Sequence, residues 1–456
     1  MTVGQMGFGI WGNLRLLVDL FESVLPQGFQ QGVTRRVAEL RAGNDDEALR
    51  RFAGASLTVF AGIAAISTLI VYLFADTLAL KYTGSADNAP LVRLIAAALP
   101  GLTFSGLLYA VLRGLKRVRR LALISAAAAA IMAGVAIPLI VLFELPGLLL
   151  SLTVVELLQI ALLTRAVKRD LTLTLQLPRW EDWRMFSGLG ALLFGSGIVT
   201  WTSNNWLRVD YLALYGAETA GLFEAAFRLT NFILAAVLAT MMAHVFPRMS
   251  EIESREEFSR ELNLTLRAYL LVCTPGLLIT ALLENELLAL FYDSTFIDAA
   301  RMHLMAPLLM ACFFQIVMWC FMITLIPRKR HAAYFLTCLG IALVIPAFYL
   351  PLRQADIPAS LALAMPPAYA LIGLGLMLYL MLRMGFYWEW AAFRMAAVSA
   401  LVLFWALFLG GDATEFRLMR IAALPLWAAL AVPLGEWRRY LRQSRELLRE
   451  RLRESR

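Results

Sequence analysis

Thirteen apolar runs, separated by short polar connections, constrain this chain more than any other feature. They lie near residues 6–32, 53–75, 91–112, 121–143, 146–164, 187–207, 219–246, 267–291, 303–327, 332–352, 357–382, 392–411 and 418–436. A run of about 20 apolar residues crosses the hydrocarbon of a bilayer as a helix, because only a helix satisfies every backbone N–H and C=O within one segment. The pattern predicts an all-α, polytopic transmembrane protein with about 13 spans. Composition agrees: 60% of the 456 residues are apolar, against roughly half in a soluble domain. The first run is the least regular, since Arg15, Asp19 and Glu22 interrupt it.

The basic residues test this segmentation. Of the 41 lysines and arginines, 32 fall on one set of alternate connections and only 7 on the opposite set, with Arg15 and Arg228 inside runs. The rich set includes Arg35–Arg51, Arg113–Arg120, Arg165–Arg184, Arg328–Arg330 and eight arginines from Arg438 to Arg456. A miscounted span would scramble that alternation. By the positive-inside rule the rich side is cytoplasmic, which places the C-terminus in the cytoplasm and Met1 outside. Because these charges sit in short clusters between apolar runs, the net charge of +8 reads as topology and excludes a nucleic-acid-binding surface.

The chain also repeats itself. Gly9-Ile10-Trp11 opens the first run and Arg36 follows Gly9 by 27 positions; Gly221-Leu222-Phe223 opens the seventh and Arg248 follows Gly221 by 27. Each arginine leads into an acidic loop, with Glu39, Asp45, Asp46 and Glu47 in one copy and Glu251, Glu253, Glu256 and Glu257 in the other. The offset of 212 also carries Lys116 and Arg117 onto Arg328 and Lys329. Spans one to five therefore read as a repeat of spans seven to eleven, a plan common among transporters. Span six has no counterpart. The expectation is that the start is placed too late or that one N-terminal helix has been lost.

The resulting division is an N-terminal lobe of five spans over 1–168, a cytoplasmic amphipathic linker over 169–186, a C-terminal lobe of six spans over 187–385, two additional spans over 386–437, and a basic cytoplasmic tail over 438–456. The linker holds Leu177-Pro178-Arg179-Trp180-Glu181-Asp182-Trp183-Arg184, a tryptophan-rich interfacial pattern. Cys273, Cys312, Cys320 and Cys338 all lie in apolar runs with neither metal-ligand spacing nor a disulfide framework. His244, His303 and His331 are scattered, and no nucleotide-binding loop or catalytic constellation is present. The expectation is a non-enzyme without cofactor or metal.

The stretch from Arg208 to Arg228 carries a family resemblance. An acidic residue near the end of one helix, a glycine turn, then Gly, an aromatic and a small-small-aromatic-basic run appear here as Asp210, Gly216, Gly221, Phe223, Ala225, Ala226 and Arg228. Phe246-Pro247-Arg248, Gly9-Ile10-Trp11 and Arg35-Arg36-Val37-Ala38-Glu39 fit the same pattern. These features resemble the Wzx-type polysaccharide flippases of the MOP (MATE-like) superfamily. The resemblance implies two pseudo-symmetric helical bundles around a central cavity of alternating access, in a bacterial inner membrane. It also implies a lipid-linked oligosaccharide substrate of the undecaprenyl-diphosphate type, moved from the cytoplasmic to the outer leaflet. Membrane lipids and a polysaccharide polymerase or glycosyltransferases are the implied partners. The chain departs from the family in lacking its first helix, which normally helps line the N-terminal lobe.

Charges inside a span cost several kcal/mol and usually face a cavity or a partner. On that ground Arg228, with Glu224 one turn before it and Asn231 nearly one turn after, is a candidate substrate-binding stripe. The competing reading is an internal Glu224–Arg228 pair that only holds the bundle together. Asn204, Arg208 and Asp210 near the end of span six are further candidates, with an ion pair at the outer interface as the alternative for the two charged residues. Arg15 and Asp19 form a similar stripe in span one, and the 212 offset carries Arg15 onto Phe227, beside Arg228. An arginine fork grips two oxygens of a diphosphate and never loses its charge. Two such arginines in one cavity would suit a diphosphate head group. A cation-coupled multidrug exporter of the same fold and a non-transporting scaffold in a polysaccharide-synthesis complex are the alternatives.

Overall fold

The computed structural model describes residues 4–21, 25–172, 174–179, 189–252, 254–292, 294–409 and 413–431. Glu22, Glu253, the linker from Trp180 to Met185 and the basic tail lie outside them. Among the described residues the chain is helical apart from short turns and the irregular residues 171–172 and 174–179, and no strand forms.

The helices run in the order α1 (Gln5–Asp19), α2 (Leu25–Ala42), α3 (Asp46–Leu73), α4 (Ala75–Thr83), α5 (Ala89–Gly114), α6 (Val118–Val167) and α7 (Leu189–Thr240). They continue with α8 (Phe246–Glu251), α9 (Arg255–Leu282), α10 (Glu284–Phe291), α11 (Asp298–Arg301), α12 (Met305–Met322), α13 (His331–Gln354), α14 (Ser360–Met384), α15 (Trp390–Phe408) and α16 (Ala413–Ala431). Among the described residues, nine helices are long and apolar enough to cross a membrane. Two of these, α6 at 50 residues and α7 at 52, are more than twice the roughly 20 residues that one crossing needs. Each folds back on itself at one non-helical residue: Glu144 (φ 54°, ψ −127°) in α6 and Gly216 (φ 79°, ψ 170°) in α7. The doubling back is tight enough in α6 that a Cβ on Gly147 would lie 1.9 Å from the Leu139 carbonyl oxygen. Below, α7a denotes Leu189 to Tyr215 and α7b Ala217 to Thr240.

Two boundaries differ from the sequence expectation. The run 6–32 falls on two helices, α1 over Gln5–Asp19 and α2 over Leu25–Ala42, the second running ten residues past the expected end. Its polar end stays helical through same-face pairs such as Arg35–Glu39 at 2.8 Å. Span six does not end at 207, because the helix runs on to the Gly216 turn and takes Arg208 and Asp210 with it. The short α4 was not read from the sequence, and α10 lies inside the run 267–291 as a separate helix after α9.

Local geometry confirms the repeat. Helices α3 and α9 are both 28 residues long, and each opens on a side-chain cap: Asp45 accepts from the Ala48 N–H at 2.9 Å, and Ser254 from the Glu257 N–H at 3.1 Å. Both close on a residue of like conformation, Phe74 (φ −95°, ψ 18°) and Leu283 (φ −103°, ψ 22°), before a short helix and a 3-10 turn. Lys116 (φ 56°) and Lys329 (φ 57°) end α5 and the turn after α12 in the left-handed conformation. Each is stapled by the same pair of bonds: Lys116 N–H to Arg113 C=O at 2.9 Å with Arg117 N–H to Leu112 C=O at 3.0 Å, and Lys329 N–H to Ile326 C=O at 3.0 Å with Arg330 N–H to Leu325 C=O at 2.8 Å.

The chain groups into two compact units, Met1–Glu224 with His331–Pro346, and Ala225–Arg330 with Ala347–Arg456. In the first, α5 packs against α2, α3 and α6 around a core that includes Val33, Val37, Phe52, Leu112 and Leu163. In the second, α12 packs on α14, and α15 on α9 and α16. Large apolar side chains such as Ile66, Leu69 and Leu73 of α3 and Leu123 and Leu142 of α6 stand exposed. Such a belt suits lipid as solvent and would be a liability in water.

Candidate functional site

The best-defined polar cluster lies in the first unit, where the α7 hairpin meets α1. Arg208 on α7a and Glu224 on α7b each stand eight residues from Gly216, so the turn sets them opposite one another on its two arms. Their side chains form an ion pair, Arg208 Nη1 to Glu224 Oε2, with only 7% and 4% of each exposed. The Arg208 guanidinium also lies 5.2 Å from the centre of the Phe223 ring, which in turn packs on Tyr211 at 5.3 Å. The arginine is thus held on two sides by groups of its own hairpin.

Helix α1 closes the third side through glycines. A Cβ on Gly12 would lie 2.7 Å from Glu224 Cγ; one on Gly9 would lie 2.0 Å from the Ala217 carbonyl oxygen; one on Gly221 would lie 1.9 Å from the Gln5 carbonyl oxygen. Small residues let two membrane helices approach backbone to backbone in this way. The two glycine motifs that marked the sequence repeat, Gly9 and Gly221, are therefore physical partners. Helix α7a is fastened on one face by Trp201 Nε1 donating to Leu16 C=O at 2.8 Å and Asn205 Nδ2 donating to Tyr82 Oη at 2.5 Å; Ser203 Oγ adds a bond to Ala342 C=O at 2.7 Å. Trp201, Asn205 and Arg208 follow helical spacing, i, i+4, i+7.

Of the candidates read from the sequence, Arg208 and Glu224 come together, and Arg208 is the partner the structure gives to Glu224. Arg15 donates to Asp19 at 2.9 Å and lies 5.9 Å from the Trp11 ring, one turn beyond Gly12. Asn204 and Asp210 are half-buried on α7a. Arg228 and Asn231 are half-buried on α7b and belong to the second compact unit. Sequence reasoning missed Gly12, Trp201 and Tyr82. The Gly9–Gly12 spacing was the available signal for the first; nothing local distinguishes Trp201 or Tyr82 from other interfacial aromatics. Among the described residues no three His, Cys, Asp or Glu side chains converge as metal ligands.

The sequence pattern of a family described as "Polysaccharide biosynthesis protein" matches residues 4–301, which covers α1 to α11 and every residue of this cluster. The chain belongs to that family. Curated relatives include the lipid III flippases of Escherichia coli (strain K12) and Shigella flexneri, each 23% identical over 278 residues. That alignment takes in 59% of this chain and 65% of each relative, just under two thirds of their length. Among solved structures, the lipid II flippase MurJ in an inward closed conformation matches with a TM-score of 0.71 at 15% identity, over 94% of this chain and 96% of its own. An inward-facing multidrug resistance MATE family transporter of the MOP superfamily matches at 0.69 and 14% identity, over 84% and 91%. These likenesses establish a MOP-type fold for a multi-pass membrane protein of the polysaccharide biosynthesis family.

Proposed function

We propose that this family member is a flippase that moves a lipid-linked oligosaccharide, or a polysaccharide precursor, from the cytoplasmic to the outer leaflet by alternating access. The carrying observation is an arginine sealed inside a span of a polysaccharide-biosynthesis protein with this fold. A buried guanidinium costs several kcal/mol unless a partner or a function maintains it. Arg208 has a bidentate fork, and a diphosphate offers more negative charge than the single carboxylate of Glu224. Alternating access that parts Arg208 from Glu224 would offer this fork to a diphosphate. Arg15, Asp19, Asn204, Asp210, Arg228 and Asn231 are the further proposed substrate-binding residues. The lipid III and lipid II flippases among its relatives support the substrate class, here an undecaprenyl-diphosphate-linked glycan. Basic connections support an inner-membrane orientation with a cytoplasmic C-terminus, where a polymerase or glycosyltransferases would meet it.

The test is flipping of a fluorescent undecaprenyl-diphosphate glycan in proteoliposomes holding Arg208→Lys or Arg228→Lys. Lysine keeps the charge and loses the fork, so a tenfold or greater fall in rate at unchanged protein level is expected. Wild-type rates in both variants would sink the fork contact. The MATE-like fold favours a second reading, a cation-coupled drug exporter. It predicts ion-gradient-driven efflux of a cationic dye and no glycan flipping. A scaffold role predicts neither, with surface-glycan export surviving Arg228→Ala.

A further inference from the structure

At the end of α6 the chain builds a basic bay in the first unit. A cavity of about 230 Å³ is lined by Asp46, Arg50, Lys168, Arg169, Asp170 and Thr172. Two adjoining hollows share its walls and add Glu47, Arg51 and Thr174 on one side, Thr164 and Arg165 on the other. Two of the three acids are already engaged: Asp46 pairs with Arg41 at 2.9 Å, and Asp170 with Arg117 at 2.6 Å and with Arg120, while Glu47 is exposed beside the adjoining hollow. Among the described residues, Arg50, Arg165, Lys168 and Arg169 have no carboxylate within ion-pair distance. The irregular stretch after α6 packs its Thr174 carbonyl against α3 where only Gly54 fits; a Cβ there would lie 2.1 Å from that oxygen.

The bay also borders apolar surface. Leu157, Ala161, Arg165 and Lys168 succeed one another along one exposed face of α6, so an apolar stripe leads directly into the cations. Leu175 and Leu177, in the irregular stretch after α6, are 69% and 85% exposed. Cations and a phosphate-sized hollow at the foot of a greasy stripe match an amphiphile with an anionic head and acyl chains. A free anion would have no use for the stripe.

We propose that this bay binds the phosphodiester head group of an anionic membrane lipid, with Arg50, Lys168 and Arg169 on the phosphate and an acyl chain along Leu157 and Ala161. The site stands apart from the Arg208 cluster and does not depend on transport. The experiment uses the full chain in detergent with equal phosphatidylglycerol and phosphatidylcholine, reading retained lipids by native mass spectrometry. Wild type should retain phosphatidylglycerol preferentially. Lys168→Gln with Arg169→Gln should cut that preference by about fivefold or more, the weight of one surface cation or above. Arg35→Gln with Arg36→Gln removes the same charge from a helix whose arginines pair with Glu39, and should stay within twofold of wild type. Equal losses in both doubles would mean diffuse electrostatics and overturn the site. So would a wild type without lipid preference. Displacement of phosphatidylglycerol by millimolar inorganic phosphate would reassign the bay to free anions. Should the first double fail to fold, Arg50→Gln carries the same readout.

Discussion

Replacing Gly9 by alanine adds one methyl group and should destabilise the protein by about 2 kcal/mol, a figure that follows from what the methyl meets. Its carbon would stand 2.0 Å from the Ala217 carbonyl oxygen and 2.8 Å from the Gly221 nitrogen. Real Cβ contacts essentially never fall below 3.0 Å, so α1 and α7b must separate by at least about 1 Å, and both obstructing atoms are backbone. Overpacking of this kind costs about 1–3 kcal/mol, and the absence of a side chain that could swing aside puts Gly9 at the top of that range. The better helix propensity of alanine returns about 1 kcal/mol, leaving the net value. Gly62→Ala in α3 is the matched control, since nothing lies within 4 Å of its Cβ; only the propensity gain remains, and that variant should be slightly stabilised. Unfolding free energies in detergent micelles, measured on both variants by steric trapping, check the pair. A Gly9→Ala protein as stable as Gly62→Ala would refute the backbone contact between α1 and α7b.

Two further outcomes follow. Glu224→Gln leaves Arg208 buried without its carboxylate and should cost about 3–5 kcal/mol, whereas Arg208→Met combined with Glu224→Leu should recover most of that loss; the same unfolding assay separates the two. Asp170 gives a pH arm: burial works to raise its pKa, but the hydrogen bonds and charges of Arg117 and Arg120 outweigh it and hold the carboxyl below its ordinary value. A folded pKa below the unfolded one adds stability that is complete above about pH 4, the unfolded value, and is lost as pH falls through the folded pKa. Thermal scans from pH 7 down to 3 should show that acid-side loss in wild type and a shallower one in Asp170→Asn.

Spans and repeat were legible because membrane helices carry their signal locally: a run of apolar residues, a charge at its end, a cap such as Asp45 or Ser254. The reversal within α7 was half legible. Gly216 stood out as a turn residue, yet the polar Arg208 and Asp210 suggested that the helix stopped before them. It does not stop, since Glu224 on the opposite arm neutralises Arg208 and lets the charge stay inside. Pairings across the fold left no local mark. Arg208 with Glu224, Trp201 with Leu16 and Asn205 with Tyr82 are separated by 16, 185 and 123 positions, and several partners of like chemistry compete for each. Helix α4 was invisible for another reason, being too short to show a span's apolar run.

The cluster arises where the repeat is broken. The 212 offset carries Trp11 onto Phe223 and Gly12 onto Glu224, so both copies place an aromatic ring at the first position, each under an arginine. At the second position one copy supplies a hole and the other fills it with a carboxylate. The arginine that meets this carboxylate comes from the other arm of the hairpin, α7a. This asymmetry can be inverted. Glu224→Gly alone should be severely destabilising, because it empties the space and strands Arg208. Gly12→Glu alone should be no better, since its Cβ alone would lie 2.7 Å from Glu224 Cγ and a second carboxylate would crowd the first. Together they return one carboxylate to the same volume beside Arg208, carried by the other helix. The double variant should therefore recover at least half of the stability lost by Glu224→Gly, a coupling of opposite sign to either single change. If the double falls as far as the sum of the singles, Gly12 does not face the ion pair and the cluster as described is wrong.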